Sequence, residues 1–290
     1  ALMRFLYETG CFCSLTYRDM PLPLAQYLWK TMLSYSSKES SKIERAHKDG
    51  ILIDFDSPES IEEIFWRVFS GNQYILSDRL VPMIADDDVV EKYRKFISTI
   101  LHLNSMDRYL AKNNNNILRL DSITKALPNA YILIPFRDPI QQALSLHNQH
   151  INFVNQQKKN GFTQKYMSWL AHHEFGFDHR YFDVNDHVSQ FTPSSTSYWL
   201  DQWISVYSYL FESCKDSHNV LFINFEMLSE HSDSILSALA HRIDLPHTHS
   251  TFSLKKANQR IGPNLSASHM ERAYDQYNEL YQLSLRQLGL

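Results

Sequence analysis

Apolar runs alternate with amphipathic segments along the chain, and this pattern predicts strands that alternate with helices. The clearest strand is the apolar run 131–136, and a second apolar strand covers 220–225. Shorter strands are predicted at three other places, 12–17, 51–55 and 117–120. Such alternation is typical of parallel strands that carry helices on both faces. We therefore predict one α/β domain, residues 1–290, with a central, mostly parallel sheet flanked by helices.

Helical periodicity and capping residues predict the segments between the strands. Helices are expected at 1–10, 22–35, 56–69, 86–112, 139–156, 163–173, 197–214, 229–243 and 271–290, with a helical turn at 121–127. Gly10 and Gly71 are suited to end the helices before them, because glycine readily adopts the left-handed conformation found after a helix. Asp56 and Glu59 are spaced as a capping box, and Asp86 begins a run of acids suited to a helix N-terminus.

Composition and charge exclude several classes of protein. Hydrophobic residues make up 43% and charged residues 21% of the chain, which is typical of a globular protein and not of a disordered one. The net charge of −4 gives no bulk electrostatic argument for a nucleic-acid partner. No apolar run approaches the ~20 residues that cross a bilayer, so we expect no transmembrane segment in these residues.

The three cysteines are interpreted as core thiols. Cys11, Cys13 and Cys214 lack neighbours with the spacing of zinc ligands. Sparse, unpaired cysteines are typical of a reducing compartment, and we therefore predict a cytoplasmic location.

The polar residues after strand 131–136 form the first candidate site. The strand leads into Arg137-Asp138-Pro139 at the edge of a parallel sheet where ligands bind. Pro139 is suited to start a helix with Asp138 as its cap, and Ser145 follows in the second turn. A guanidinium and a hydroxyl near a helix start can bind a phosphate dianion. Alternatively, Arg137 pairs with a nearby acid and Ser145 is merely exposed, and spacing alone favours neither interpretation.

An ordered set of motifs over residues 109–146 adds to this interpretation. The set comprises Tyr109-Leu110-Ala111-Lys112-Asn113, Ile117-Leu118-Arg119-Leu120, Leu127-Pro128-Asn129-Ala130-Tyr131-Ile132-Leu133 and Arg137-Asp138-Pro139 with Ser145. It closely resembles the bacterial-type sulfotransferases that use PAPS (3'-phosphoadenosine 5'-phosphosulfate). Residues 219–228, the predicted helix 229–243 and Asp244-Leu245-Pro246 are similar to a late stretch of that family, with Phe225 in place of its tyrosine and Asp244 in place of its glycine.

The resemblance implies a P-loop-kinase-like sulfotransferase fold and a metal-free reaction. A sulfuryl group would pass from PAPS to a hydroxyl or amine of a small-molecule or glycan acceptor, leaving PAP (3'-phosphoadenosine 5'-phosphate). The resemblance places the 3'-phosphate of PAPS on Arg137 and Ser145. It also implies a further phosphate contact from Lys255 and Lys256, for which a solvated basic patch is the alternative. The sequence identifies neither the acceptor nor the oligomeric state.

The resemblance also suggests residues for the chemical step. Lys112 would stabilise the charge that develops on the leaving phosphate, unless it is an ordinary surface lysine. Asp19 is the first candidate for the base that takes the acceptor proton, and His172 or His173 is the second. His172 could instead belong to a loop-anchoring network or to a metal site, together with four neighbours, His173, Glu174, Asp178 and His179.

One element of the family pattern is not present in these residues. The family begins with a strand and a loop similar to Arg-Ser-Gly-Thr-Thr, which binds the 5'-phosphosulfate at a helix N-terminus. The helix after that loop resembles Ala1 to Gly10, so we expect the loop immediately upstream. Two other functions stay open, a non-catalytic relative that binds a partner and a nucleotide-dependent phosphoryl transferase. The second would need Mg²⁺ ligands and a GK[ST] loop.

Overall fold

A computed structural model describes residues 2–33, 43–44, 52–59, 61–170, 172–186, 188–246 and 265–290 of the protein. Its helices are α1 (Leu2–Glu8), α2 (Gln26–Leu33), α3 (Glu63–Ser70), α4 (Asp87–Asn104), α5 (Leu120–Ala126), α6 (Pro139–Lys159), α7 (Gly161–Trp169), α8 (Thr196–Cys214), α9 (Phe225–Glu230), α10 (Ser232–Arg242) and α11 (Ala267–Leu288). Its strands are β1 (Ile43–Glu44), β2 (Leu52–Ile53), β3 (Arg79–Leu80), β4 (Ile132–Phe136), β5 (Tyr181–Phe182) and β6 (Val220–Asn224). No helix in these ranges is both long enough and apolar enough to span a membrane.

The strands form small sheets between the helices. β1 and β2 are antiparallel, whereas β3 pairs with β5 and β4 pairs with β6 in parallel. Within the described ranges each sheet has two strands, so the predicted central sheet is represented only by separate pairs. The chain is therefore a mixed protein of helices and short strands, with parallel pairing where strands alternate with helices.

The chain divides into two compact units. The first unit comprises Ala1–Tyr74, Met83–Pro128 and Met167–His172, and the second comprises Ile75–Pro82, Asn129–Tyr166 and His173–Leu290. In the first unit, Phe65 and Trp66 of α3 pack against Tyr93 of α4, with ring centroids 5.2 and 4.6 Å from the tyrosine. The prediction of one α/β domain stays a prediction.

The core of the second unit is the β4–β6 pair with helices α6, α8 and α11. β6 is buried along its whole length, and Gln287 of α11 covers one of its edges. The Gln287 side chain accepts the N–H of Phe222 at 2.9 Å and donates to the Val220 carbonyl at 2.8 Å. This side chain takes the place of a neighbouring strand, because it satisfies edge groups that would otherwise be unpaired.

Several local predictions need correction because contacts distant in sequence decide the conformation. The predicted helix 56–69 begins only at Glu63, since the Asp56 carboxylate binds Arg18 at 2.6 Å instead of capping a helix. The predicted strand 12–17 forms only isolated bridges, at Cys13 with Tyr109 and at Thr16 with Pro58. The predicted strand 117–120 is divided between the end of the 3₁₀ turn Asn114–Leu118 and the start of α5. Short apolar runs do not distinguish strands from buried turns.

Other boundaries were closer to the prediction. The strands at 131–136 and 220–225 are confirmed as β4 and β6, and the helix predicted from 139 begins there. The predicted helix 86–112 is capped by Asp86 but ends at Asn104, because Ser105 takes a left-handed conformation with φ of 51°. The predicted helix 229–243 is divided into α9 and α10 at His231.

Candidate functional site

The parallel strands β4 and β6 end side by side in the second unit. Phe136 lies opposite Asn224 in the register of the pair, so the residues that follow both strands lie at one edge, where α/β proteins bind ligands. We call this group the strand-end cluster. Its members are Arg137, Asp138, Asn224, Phe225 and Glu226, together with Tyr207 of α8 and Tyr274 and Tyr277 of α11.

Arg137 is the only cationic side chain defined in this cluster, and it has no anionic partner among the described residues. Its guanidinium lies 5.1 Å from the centre of the Phe225 ring, a cation–π contact. The side chain is half-buried, and its Nε is buried without a hydrogen-bond partner. Within the described part of the chain, no acid pairs with Arg137, as the alternative interpretation would require. A guanidinium held in this way is available to a bound anion.

The two acids of the cluster are engaged by other donors. Asp138 caps α6 by accepting the N–H of Gln141 at 2.8 Å, and its second oxygen accepts the Tyr274 hydroxyl at 3.1 Å. Glu226 accepts the N–H of Asp138 at 3.1 Å and the Tyr277 hydroxyl at 3.4 Å. The predicted capping role of Asp138 is thus confirmed. Both carboxylates thus have other donors, and neither forms an ion pair with Arg137.

The tyrosines of the cluster remain protonated at neutral pH. Burial raises the pKa of Tyr207 to about 12, and it raises the pKa of Tyr277 to about 12. Burial and the Asp138 carboxylate together raise the pKa of Tyr274 to about 12. Each hydroxyl therefore acts as a hydrogen-bond donor, as Tyr207 does to the Pro135 carbonyl at 2.7 Å.

Ser145 lies in the same unit, on α6. The helix begins at Pro139, so Ser145 lies ~9 Å further along the helix axis, at 1.5 Å per residue. Its side chain is half-buried and has no hydrogen-bond partner among the described residues. Among the residues that the structure describes, Arg137 and Ser145, which were predicted to bind the 3'-phosphate, thus both lack a polar partner.

Lys112 lies in the first unit, on a turn fixed at both ends by buried carboxylates. The Tyr109 hydroxyl donates to Glu62 at 2.9 Å, and the Asn113 amide donates to Glu63. Burial raises the pKa of the Glu62 carboxyl. Lys112 itself is exposed and makes no ion pair with any described residue. The surrounding side chains therefore hold the backbone of this turn and leave the ammonium group accessible.

The other predicted catalytic residues have mainly local contacts. Asp19 is buried, and one of its oxygens accepts the backbone N–H of Thr16 at 2.7 Å and the Thr16 hydroxyl at 3.2 Å. These bonds close the 3₁₀ turn Tyr17–Asp19, so the Asp19 carboxylate has a structural role in capping this turn. His172 is half-buried, and its backbone N–H donates to the Met167 carbonyl at 2.9 Å. Lys255 and Lys256 lie outside the described residues.

The side chains that follow His172 form a network of contacts that holds the loop 173–180 in place. His173 Nδ1 lies 2.7 Å from the Asp178 carboxylate, which also binds Arg180 at 3.1 Å. His179 contacts the Glu174 carbonyl and the Tyr198 hydroxyl, each at 2.7 Å. Among the side chains that the structure describes, no three His, Cys, Asp or Glu residues are grouped to hold a metal ion.

Most members of the strand-end cluster were not predicted from the sequence as site residues. Phe225 and Glu226 could have been found, because the rule that ligands bind beyond strand ends applies to the second apolar strand as well as to the first. Tyr274 and Tyr277 carried no such signal, since they lie more than a hundred residues after Arg137. Glu62 and Glu63 were likewise not recognised as anchors of the Lys112 turn.

The chain matches no protein-family model, no curated protein and no solved structure. The resemblance to sulfotransferases therefore depends on the motifs of residues 109–146.

Proposed function

We propose that this protein is a PAPS-dependent sulfotransferase in which Arg137 and Ser145 bind the 3'-phosphate of the nucleotide. The observation that carries the proposal is the Arg137 guanidinium, which lies past the end of β4 and has no anionic partner among the described residues. The sulfotransferase fold, with a larger central sheet in one domain, belongs to the same proposal.

The electrostatics of the strand-end cluster support a phosphate ligand. A guanidinium forms short, charge-assisted hydrogen bonds with phosphate oxygens, and these are stronger than bonds between neutral groups. Asp138 and Glu226 are negatively charged, so a phosphate must approach from the side on which Arg137 offers its N–H groups. Hydrogen bonds to the tyrosines and to backbone N–H groups disperse the charge of both acids.

The remaining roles follow from the chemistry of sulfuryl transfer. An in-line transfer depends on positioning and on stabilising the charge of the leaving phosphate. We assign the second task to Lys112, whose exposed ammonium group is supported by an anchored turn. Asp19, and after it His172, remain the candidates for the base that accepts the acceptor proton. The acceptor is a hydroxyl or amine compound, and the reaction needs no metal ion.

Calorimetric titration of the full-length protein with PAP, AMP and Mg²⁺-ATP tests the proposal. PAP differs from AMP by the 3'-phosphate, and charge-assisted bonds of about 1.5–3 kcal/mol predict PAP binding roughly 10- to 100-fold tighter. Arg137→Ala should remove this preference. Arg242→Ala is a matched control, because Arg242 lies over an aromatic ring, Tyr131, immediately before β4.

Each other outcome would contradict the proposal in a specific way. Equal affinity for PAP and AMP would show that no group of the protein binds the 3'-phosphate. Preferential binding of Mg²⁺-ATP would favour the phosphoryl transferase. No binding of any nucleotide would favour a non-catalytic relative that binds a partner.

A further inference from the structure

A polar cavity lies between α8 and α11 in the second unit and shares no residue with the strand-end cluster. Its volume is about 190 Å³, larger than the ~150 Å³ of an engineered cavity that accepts benzene. The lining residues are Asn185, Asp201, Ile204, Ser205, Ser208 and Arg272. Five of these six side chains are polar or charged, so the cavity offers hydrogen-bonding groups to a hydrophilic ligand.

On one side of the cavity lies Asp201, a hydrogen-bond acceptor whose position is fixed by its contacts. The Asp201 carboxylate is 7% exposed, and its two oxygens are held separately. One oxygen accepts the Ser189 hydroxyl at 2.6 Å, and the other lies 2.7 Å from His269 Nε2. Each carboxylate oxygen has two lone pairs, so Asp201 can still accept hydrogen bonds from ligand hydroxyls while its position stays fixed.

A neighbouring wall contains a hydroxyl without a partner. Ser205 is 6% exposed, and its Oγ is buried with no hydrogen bond to any described group. The Asn185 amide donates to the Ser205 carbonyl at 2.8 Å, which leaves the Asn185 side-chain oxygen as an acceptor. A buried hydroxyl without a partner is unfavourable, and Ser205 is one of the residues that line the cavity.

The exposed side of the cavity carries an unpaired cation. Arg272 is exposed, and it makes no ion pair or hydrogen bond with the residues that the structure describes. The cavity thus offers a guanidinium on one side and a carboxylate, a hydroxyl and an amide oxygen on the others. A matching ligand has one anionic group for Arg272 and several hydroxyls for the remaining groups.

We infer that this cavity binds a small hydroxylated carboxylate, a sugar acid or a compound of similar size. The inference is independent of the proposed sulfotransferase activity, because it uses none of the residues assigned to the nucleotide. Charge and hydroxyls act together here, so neither a simple carboxylate nor a neutral sugar satisfies the whole site.

Calorimetric titration with D-glucuronate, D-glucose and acetate tests the inference in the full-length protein. Saturable binding of glucuronate is expected, with glucose and acetate at least tenfold weaker. Arg272→Gln should weaken glucuronate binding about tenfold, since it removes a charge-assisted contact. Arg286→Gln is the matched control, because Arg286 is exposed on the same helix but does not line the cavity.

A second variant tests the buried wall. Ser205→Ala removes only a hydroxyl that has no protein partner, so the fold should be unaffected while glucuronate binding weakens. The inference is overturned if glucuronate shows no saturable binding, if glucose or acetate binds equally well, or if Arg272→Gln and Arg286→Gln behave alike.

Discussion

Arg119 in the first unit and Arg137 in the second have similar surroundings but different partners. Arg119 lies 5.0 Å from the rings of both Trp66 and Tyr74, and Arg137 lies 5.1 Å from the ring of Phe225. Arg119 is fully buried and binds the Glu63 carboxylate at 2.7 Å, whereas Arg137 has no ion pair with a described residue. The comparison shows that an aromatic ring positions an arginine, and that the neighbouring acids decide whether it is left for a ligand.

The acids near the two arginines have different partners, because the local structure around them differs. Glu63 lies in the first turn of α3 and is itself buried, so it needs a cation at close range to be stable as a charge. Asp138 and Glu226 instead accept backbone N–H groups and tyrosine hydroxyls. We infer that Arg119 supports the fold of its unit and that Arg137 binds a ligand.

The largest expected effect is on stability, from breaking the buried pair. Arg119→Ala should lower the free energy of unfolding by about 3–5 kcal/mol, because it leaves Glu63 buried without its partner. The double variant Arg119→Met with Glu63→Leu should recover part of the loss, since it removes both charges but leaves the Tyr74 hydroxyl and the Asn113 amide without their acceptor. Urea unfolding of the three proteins measures both effects. A loss below about 1 kcal/mol in the single variant would contradict a structural role for Arg119.

A smaller effect is expected for the pH dependence of the free energy of unfolding, and it comes from the buried side chain of His179. Burial and, after it, the nearby His150 lower the pKa of His179 to about 4, and the two ring nitrogens contact the Glu174 carbonyl and the Tyr198 hydroxyl. The unfolded chain binds this proton near pH 6.5, so stability is full above pH 6.5 and falls as the pH falls toward 4. Between pH 7 and pH 5 the free energy of unfolding should fall by about 2 kcal/mol.

Urea unfolding at pH 7 and pH 5 measures this difference, with His179→Gln as the control. The variant should lose less stability than the wild type between the two pH values, although burial also lowers the pKa of His150 and His173. An equal loss in the variant and the wild type would show that other groups cause the pH dependence.

The contrast between the two arginines was only partly accessible from the sequence. The apolar run before Arg137 and the Asp138-Pro139 cap predicted its position at the end of a strand, and β4 and α6 confirm this. Arg119 was placed in a strand, because its neighbours Leu118 and Leu120 are apolar. It follows a 3₁₀ turn instead, since its side chain reaches Glu63, 56 residues earlier. Pairing with a distant acid leaves no local pattern.

The same limitation applies to the rest of the candidate site. Arg137 and Ser145 were identified from local spacing together with the resemblance to sulfotransferases, whereas Tyr274 and Tyr277 reach the strand-end cluster from a helix near the end of the chain. The cavity that contains Arg272 was not predicted at all, because it is formed by helices α8 and α11. Sequence patterns identify strand ends and helix caps, and tertiary packing determines which charged groups are paired.

The most direct test of the central claim is the stability of the full-length protein with and without PAP, in the wild type and in Arg137→Ala. PAP at ~100 times its Kd should add about 2.7 kcal/mol to the free energy of unfolding of the wild type. Arg137→Ala should lose this stabilisation, while its stability without PAP falls by no more than about 1 kcal/mol, the size of a cation–π contact. A variant that loses about 3 kcal/mol without ligand, or one that PAP still stabilises fully, would contradict the claim that Arg137 is held for a ligand.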